Sequence, residues 1–160
     1  LMRKPGAENW KLDNFDATQW LAWAAHLHEI GLNIAHSHYH KHGAYITENA
    51  DLSGFTFQEQ QLLAILIRLQ RRKLSQSAVK TFPRKSTTPP KQLVVLFRLA
   101  VLLHRSRSSN PLPKFTLTAK KKKLDICFPE GWLEDHPLTK ADLEQEASYV
   151  PAIDFELTFT

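Results

Sequence analysis

Histidine is the residue whose type and spacing most suggest chemistry in this 160-residue chain. Six of the eight histidines lie within seventeen residues, namely His26, His28, His36, His38, His40 and His42. A run of arginines follows at Arg68, Arg71 and Arg72. Imidazole and guanidinium groups at this density are typical of a site that binds phosphate oxygens or a metal ion. The pattern does not by itself predict a catalytic centre.

Two of these histidines have the spacing that a metal site on a helix requires. Ser37 is predicted to cap a helix from about His38 to Asn49, which places His38 and His42 on one face. Zinc would need a further ligand. Histidine clusters also bind phosphate oxygens and fill polar interfaces, so we do not predict a metal site in this chain. The candidate ligands, should a metal bind, are His28, Glu29, His38 and Asp51.

The formal net charge of +5 conceals a strong asymmetry along the chain. Between Gln60 and Leu124 there are sixteen Lys or Arg and no Asp or Glu, whereas the other residues carry five basic and sixteen acidic side chains. A segment without carboxylates cannot neutralise itself by local pairing, so it should attract a polyanion. The alternative is that the acidic flanks fold back and pair with it. We favour the polyanion, because solvated charged faces normally mix both signs.

Helices are predicted to position these groups. Apolar residues at helical spacing, with Asp16 and Gln19 at the start, indicate a first helix that ends at Gly31. Thr56 and Glu59 form a capping box before a third helix. Its predicted buried stripe is Leu62, Leu63, Leu66 and Leu69, and its end carries Arg68, Arg71, Arg72 and Lys73. Four cations without an acidic neighbour exceed what the helix dipole requires.

Arg98 stands inside an apolar helix that is predicted from Pro90 to about Ser106. Burying a guanidinium without a partner is prohibitive, so Arg98 must be paired or must face a water-filled groove. The sequence leaves two possibilities open. Arg98 either pairs with Glu29 or Asp51, or contacts phosphate.

After residue 110 the apolar pattern alternates with the period of a strand. Alternation on both sides of Lys120–Lys123 predicts a β-hairpin with one buried face and a lysine-rich tip. Thr139 is predicted to cap a short helix that runs to about Ser148. Alternation at residues 153–159 predicts a final strand.

The predicted fold class is therefore α+β. A mainly α-helical, HD-like domain at residues 1–109 precedes a small α+β unit at residues 110–160. Cys127 is the single cysteine and cannot form an internal disulfide, which favours a reducing, cytoplasmic location. The longest apolar run, at residues 93–103, is short and interrupted by Arg98. We therefore expect no membrane span and no signal peptide.

Four stretches, taken in order, resemble a known family. They are LHEIGLNI, HSHYHKHGAYITENADLSGF, RLQRRK at the end of the third helix, and LFRLAVLLHRSRS. Together they are similar to the C-terminal half of the exopolyphosphatase and guanosine pentaphosphate phosphohydrolase family, Ppx/GppA. The resemblance runs from about Trp20 to the end of the chain. GWLEDHPLTKADLEQE looks more like the GppA branch, whereas the histidine block looks more like the polyphosphatase branch.

The resemblance implies that catalysis takes place outside this chain. Full-length members have two actin-like N-terminal domains, where a glutamate-activated water and Mg²⁺ hydrolyse the terminal phosphate. An HD-like helical domain and a small C-terminal domain follow. Nothing here matches the actin-like phosphate loops, so we expect a region that is inactive alone and carries no cofactor. The expected partners are inorganic polyphosphate or guanosine polyphosphate, and a second subunit in a full-length homodimer.

Two departures from the family pattern concern metal and imidazole chemistry. His28 is followed by Glu29, where metal-dependent HD phosphohydrolases have a His-Asp pair. Gln70 stands where related proteins often have histidine. The resemblance and the chemistry of guanidinium groups instead favour anion contact. The expected contacts are His40, His42, Arg68, Arg71, Arg72, Lys73 and Arg98, with Arg84, Lys85, Arg105 and Arg107 as weaker candidates.

Two alternative functions belong to other classes. The first is a self-sufficient metal-dependent HD-type phosphohydrolase, which would hold its metal tightly. The second is a basic nucleic-acid-binding module. The basic segment has few aromatic residues that look exposed and no recognition-helix pattern, so a nucleic acid is not the expected partner.

Overall fold

The structure, a computed structural model, describes Trp10 and residues 15–79, 90–105 and 111–160. Its α-helices are α1 (Phe15–Leu27), α2 (Tyr39–Asn49), α3 (Phe57–Leu69), α4 (Gln76–Val79), α5 (Pro90–His104), α6 (Trp132–Asp135) and α7 (Pro137–Tyr149). Its strands are β1 (Thr116–Lys120), β2 (Lys123–Cys127) and β3 (Glu156–Phe159). Two 3-10 turns, Ile30–Asn33 and Val150–Ile153, follow α1 and α7. This mainly helical chain with a small sheet confirms the predicted α+β class.

The segment between α1 and α2 differs from the prediction at both ends. Helix α1 ends at Leu27 and not at Gly31, because the chain tightens into a 3-10 turn that contains Gly31. Helix α2 is capped by His38, which has φ 55°, and not by Ser37. Gly31 explains the geometry: a Cβ on it would lie 2.5 Å from the backbone nitrogen of Gly43 and closer still to the carbonyl oxygen of Tyr39. Only glycine lets the turn approach α2 this closely.

Helices α2 and α3 form an antiparallel hairpin whose connection is fixed by side chains. The predicted capping box is confirmed, since Thr56 Oγ1 accepts from the Glu59 amide and Glu59 Oε2 accepts from the Thr56 amide at 2.7 Å. Gln60 Nε2 donates to the carbonyls of Thr47 at 2.7 Å and Ala50 at 2.6 Å. These bonds satisfy carbonyl groups at the end of α2 that have no partner within the helix.

The leucines of the predicted stripe are all buried, and their helix packs against α1, α2 and α5. Helix α5 contributes to the same core, where Leu93 and Phe97 are almost fully buried. The helix starts at Pro90, as predicted from the preference of proline for the first turn of a helix. The predicted end near Ser106 lies outside the described residues.

The predicted hairpin and final strand are also present. β1 and β2 are antiparallel, with Leu117 opposite Ile126 and Lys120 opposite Lys123, so the lysines occupy the tip. β3 joins β2 in parallel, with Leu124 opposite Leu157. The order β1-β2-β3 gives one sheet, whose buried residues face the helices.

Helix α7 begins earlier than predicted. It starts at Pro137 with His136 as the capping residue, and Thr139 lies inside its first turn. Proline takes this position readily because it lacks the N–H that would be unsatisfied there.

One buried apolar cluster includes residues from both predicted domains, for example Leu66 and Ile126. The division at residue 109 remains a prediction. Within the described residues, no helix combines the length and apolar character that a membrane crossing requires.

Candidate anion-binding site

Arg98 is buried and paired with a carboxylate that the sequence analysis did not consider. Its side chain contacts Glu146 of α7 through two bonds, Nε to Oε1 at 2.5 Å and Nη2 to Oε2 at 2.8 Å. Arg98 and Glu146 are 3% and 6% exposed. The predicted pairing with Glu29 or Asp51 is therefore wrong. A guanidinium that is buried and paired in this way is not accessible to a ligand in solvent. The structure therefore does not favour Arg98 as a phosphate contact.

The same guanidinium holds the chain where it leaves α3. Nη1 donates to the carbonyl of Leu69 at 2.5 Å, and Nη2 donates to the carbonyl of Arg72 at 2.8 Å. Gln70, which is also buried, donates from Nε2 to the carbonyl of His28 at 2.7 Å. The end of α3 is thus tied to α5, to α7 and to the end of α1. Arg72 itself has φ 71°, a left-handed conformation that is uncommon for residues other than glycine.

Within this anchored turn, the side chain of Arg71 reaches the Tyr39 ring at the start of α2. Its guanidinium carbon lies 5.0 Å from the centroid of the Tyr39 ring, within the range of a cation–π interaction. Tyr39 is the first residue of α2, so the guanidinium lies beside a helix N-terminus. At that terminus the amides of Lys41 and His42 donate to the His38 carbonyl, and the helix dipole contributes a partial positive charge. Two sources of positive potential therefore meet at one place.

The His40 imidazole is buried at this place and is surrounded by positive charges. Its side chain is 5% exposed, and its pKa is lowered to about 4. Burial is the largest cause, and the charges of Arg71, Lys41, His38 and Arg72 follow in that order. The imidazole is therefore neutral at physiological pH. Within the described part of the chain, its Nδ1 has no hydrogen-bond partner.

We call this group the α2–α3 corner and define it as His38, His40, Lys41, Arg71 and Arg72. Among the described residues, no carboxylate forms an ion pair with its lysine or its two arginines. Cations that lack an internal partner and lie beside a helix N-terminus form a binding place for phosphate or another oxyanion. The corner has no arrangement of nucleophile and base that would indicate covalent chemistry.

The remaining predicted contacts are dispersed. Arg68 and Lys73 are exposed on either side of the anchored turn, and His42 is half-buried on α2. Arg105 is exposed at the end of α5 and lies 3.6 Å from Asp142. Arg84, Lys85 and Arg107 lie outside the described residues.

The acidic flank does neutralise part of the basic segment. Around the hairpin tip, Lys91 lies 3.0 Å and Lys122 lies 3.9 Å from Asp154, and Lys123 lies 3.4 Å from Glu156. The hydrogen bond from Lys91, followed by the charges of Lys91 and Lys122, lowers the pKa of Asp154. The alternative that the acidic flank folds back is thus correct for the hairpin. Among the described residues, the basic segment keeps uncompensated charge at Arg71 and Arg72 of the α2–α3 corner and also at Arg68, Lys73, Lys114, Lys120 and Lys121.

The four candidate metal ligands do not gather into one site. His28 and Glu29 are neighbours, with Nε2 and Oε1 3.8 Å apart. In the ranges that the structure describes, no three His, Cys, Asp or Glu side chains lie close enough to hold a metal ion. His38 instead belongs to the α2–α3 corner.

Three residues of the site were missed by sequence reasoning. Tyr39 and Lys41 lie inside the histidine block, and only the histidines of that block were considered as ligand contacts. Both residues could have been noticed because they lie in the first turn of a predicted helix, where the helix dipole is positive. Glu146 had no local signal, because it lies 48 residues from Arg98 in the chain.

Comparison with known proteins supports the resemblance found in the sequence. Residues 1–147 match the family model for Ppx/GppA phosphatase, domain III. A guanosine-5'-triphosphate,3'-diphosphate pyrophosphatase of Pseudoalteromonas translucida (strain TAC 125) is 33% identical over 150 residues, which is 94% of this chain and 30% of the relative. A protein of the same name from Pseudoalteromonas atlantica (strain T6c / ATCC BAA-1087) is 34% identical over 140 residues, which is 88% of this chain and 28% of the relative.

The chain thus spans less than a third of the length of these two relatives. The match to the family model nevertheless covers the helices, the hairpin and most of α7. On that match, the chain belongs to the Ppx/GppA phosphatase family.

Proposed function

We propose that this chain is the polyanion-binding part of a phosphohydrolase that acts on guanosine pentaphosphate or inorganic polyphosphate. The two relatives support the guanosine substrate through their names. The chain itself is inactive in hydrolysis, and Mg²⁺ serves the catalytic domains of the whole enzyme. That enzyme is a cytoplasmic homodimer in this proposal. The task of the chain is to hold phosphate groups while another domain cleaves them.

One observation carries the proposal: Arg71 and Arg72 leave an anchored turn beside the N-terminus of α2 without a carboxylate partner among the described residues. Guanidinium groups bind phosphate through paired N–H donors, and neighbouring guanidinium groups can contact successive phosphates of one chain. Lys41 adds a third cation, and the amides at the start of α2 add neutral donors. Arg68 and Lys73 are exposed on either side of the anchored turn and add to the positive field.

The direct experiment is a titration of the chain with tripolyphosphate and with guanosine pentaphosphate, followed by calorimetry at several salt concentrations. Two variants probe the corner, Arg71→Gln and Arg72→Asn. Asparagine is chosen for residue 72 because it tolerates a positive φ, so the turn is kept while the guanidinium is removed. Each variant should lose about tenfold in affinity, which corresponds to about 1.4 kcal/mol for one charge-assisted contact.

Lys140→Gln is the matched control. It also removes one positive charge, but Lys140 lies on α7 and pairs with Glu134 at 3.8 Å. Its affinity for both anions should stay within about twofold of the parent chain, because exposed charges at a distance are screened by salt. Equal losses in all three variants would show that binding follows net charge alone, and the corner would then have no special role.

A further inference from the structure

Arg98 makes an unusual set of bonds for a residue whose only task is to neutralise a carboxylate. Two of its bonds go to Glu146 on α7, and two go to the carbonyls of Leu69 and Arg72 in the turn after α3. A planar guanidinium can serve both groups at once because its donors point in several fixed directions. Glu146 orients the guanidinium on one side, and the turn is held on the other.

The turn that Arg98 holds is the one that presents the arginines of the α2–α3 corner. Arg72 adopts a left-handed backbone, which costs about 1 kcal/mol or more for a residue with a Cβ and persists only when its surroundings enforce it. Its carbonyl is the group that Arg98 binds at 2.8 Å. The direction in which Arg71 and Arg72 leave the backbone therefore depends on the Arg98 contact.

We propose that Arg98 and Glu146 are positioning residues that set the turn at Leu69–Arg72 for anion binding; the ligand class, a phosphate chain, rests on the function proposed above. Stability alone does not require this pair, because apolar residues of similar volume often replace a buried ion pair without loss. A lysine could neutralise Glu146, but a single ammonium could not also hold two carbonyls in the same plane. The pair acts on the ligand through the backbone and does not touch it.

Two variants of α7 test the proposal against simple electrostatics. Glu146→Gln and Asp142→Asn each remove one negative charge from the same helix, one turn apart, and both carboxylates pair with an arginine of the α5 region. The general field of the protein would make both variants bind tripolyphosphate slightly more tightly. If Glu146 positions the turn, Glu146→Gln should instead bind tripolyphosphate about tenfold more weakly than the parent chain. Asp142→Asn should bind it as well as the parent chain or better.

Hydrogen exchange supplies a second readout that does not need the ligand. The amides of residues 69–73 should exchange at least about tenfold faster in Glu146→Gln than in Asp142→Asn, while the amides in the middle of α3 stay protected in both. Arg98→Lys should show the same faster exchange although it keeps the charge. If Glu146→Gln does not fold, the double variant Arg98→Met with Glu146→Leu replaces it, because it leaves no buried charge unpaired.

The outcomes separate the two claims. Weaker binding and faster exchange in Glu146→Gln, with neither in Asp142→Asn, support the positioning role. Equal behaviour of the two variants in both measurements overturns it. If the parent chain binds neither tripolyphosphate nor guanosine pentaphosphate, the proposed function fails. Exchange at residues 69–73 then decides alone whether Arg98 and Glu146 set the turn.

Discussion

Replacing Gly31 by alanine should be among the most damaging single changes in this chain. A Cβ at this position would lie 2.5 Å from the backbone nitrogen of Gly43 and 2.8 Å from the carbonyl carbon of Tyr39, with the Tyr39 oxygen nearer still. Real Cβ contacts essentially never fall below 3.0 Å. All three atoms belong to the backbone of α2, so no side chain can rotate away. Either the 3-10 turn or the whole first turn of α2 must move.

The cost follows from overpacking in a place that cannot relax locally. Inserting a methyl group into a packed interior costs about 1 to 3 kcal/mol when side chains can adjust, and more when backbone must shift. We expect Gly31→Ala to lower the free energy of unfolding by at least about 3 kcal/mol. For a domain of this size that loss corresponds to a fall in Tm of about 6 to 12 °C.

The assay is thermal and urea denaturation of Gly31→Ala beside Gly54→Ala. Gly54 has φ 93° and no heavy atom within 4 Å of the position its Cβ would take, so its variant reports backbone strain without a clash. That strain should cost about 1 to 2 kcal/mol. Both variants change the unfolded chain in the same way. If Gly31→Ala were no less stable than Gly54→Ala, the close approach of the turn to α2 would be refuted.

Three further outcomes are expected from denaturation of the chain and its variants. The pKa of His40 is lowered to about 4 in the folded chain, so between pH 6.5 and 4 the unfolded chain binds a proton that the folded chain does not. The free energy of unfolding should therefore fall by about 1 to 3 kcal/mol as the pH drops through this range. His40→Gln should flatten the slope in that window, and an unchanged slope would assign it to other groups. Glu146→Leu alone should cost about 3 to 5 kcal/mol, and adding Arg98→Met should restore most of it; no recovery in the double variant would contradict the stranded charge as the cause. Thr56→Ala should cost about 1 kcal/mol through loss of the capping box, and a neutral result would show that the Glu59 contact alone suffices.

Local patterns explain what the sequence predicted well. The capping box of Thr56 and Glu59, the buried leucines of α3 and the alternation around Lys120–Lys123 each depend on residues that are close in the chain. Capping residues were less predictable where several polar residues adjoin. The capping residue of α2 is His38 and not Ser37, because the close contact between Gly31 and the backbone of α2 constrains where this helix begins.

Long-range pairing explains what the sequence could not give. Arg98 clearly required a partner, and the sequence analysis considered Glu29 and Asp51 because nothing local distinguishes Glu146 from the other acidic residues. Only the packing of α7 against α5 selects Glu146. The same packing decides which cations keep their charge uncompensated. Arg71 and Arg72 were predicted as anion contacts from the family resemblance and from the chemistry of guanidinium groups. Lys91 and Lys123, by contrast, acquire carboxylate neighbours through β3 and its preceding turn.

The ion pair between α5 and α7 also limits how this chain can be dissected. A cut near residue 109 would separate Arg98 from Glu146, and each fragment would then carry a charge in surroundings built to exclude water. The helical fragment would in addition expose the part of α5 that packs against α7. Neither piece should be recoverable alone in folded form, whereas co-expression of the two could reassemble the interface.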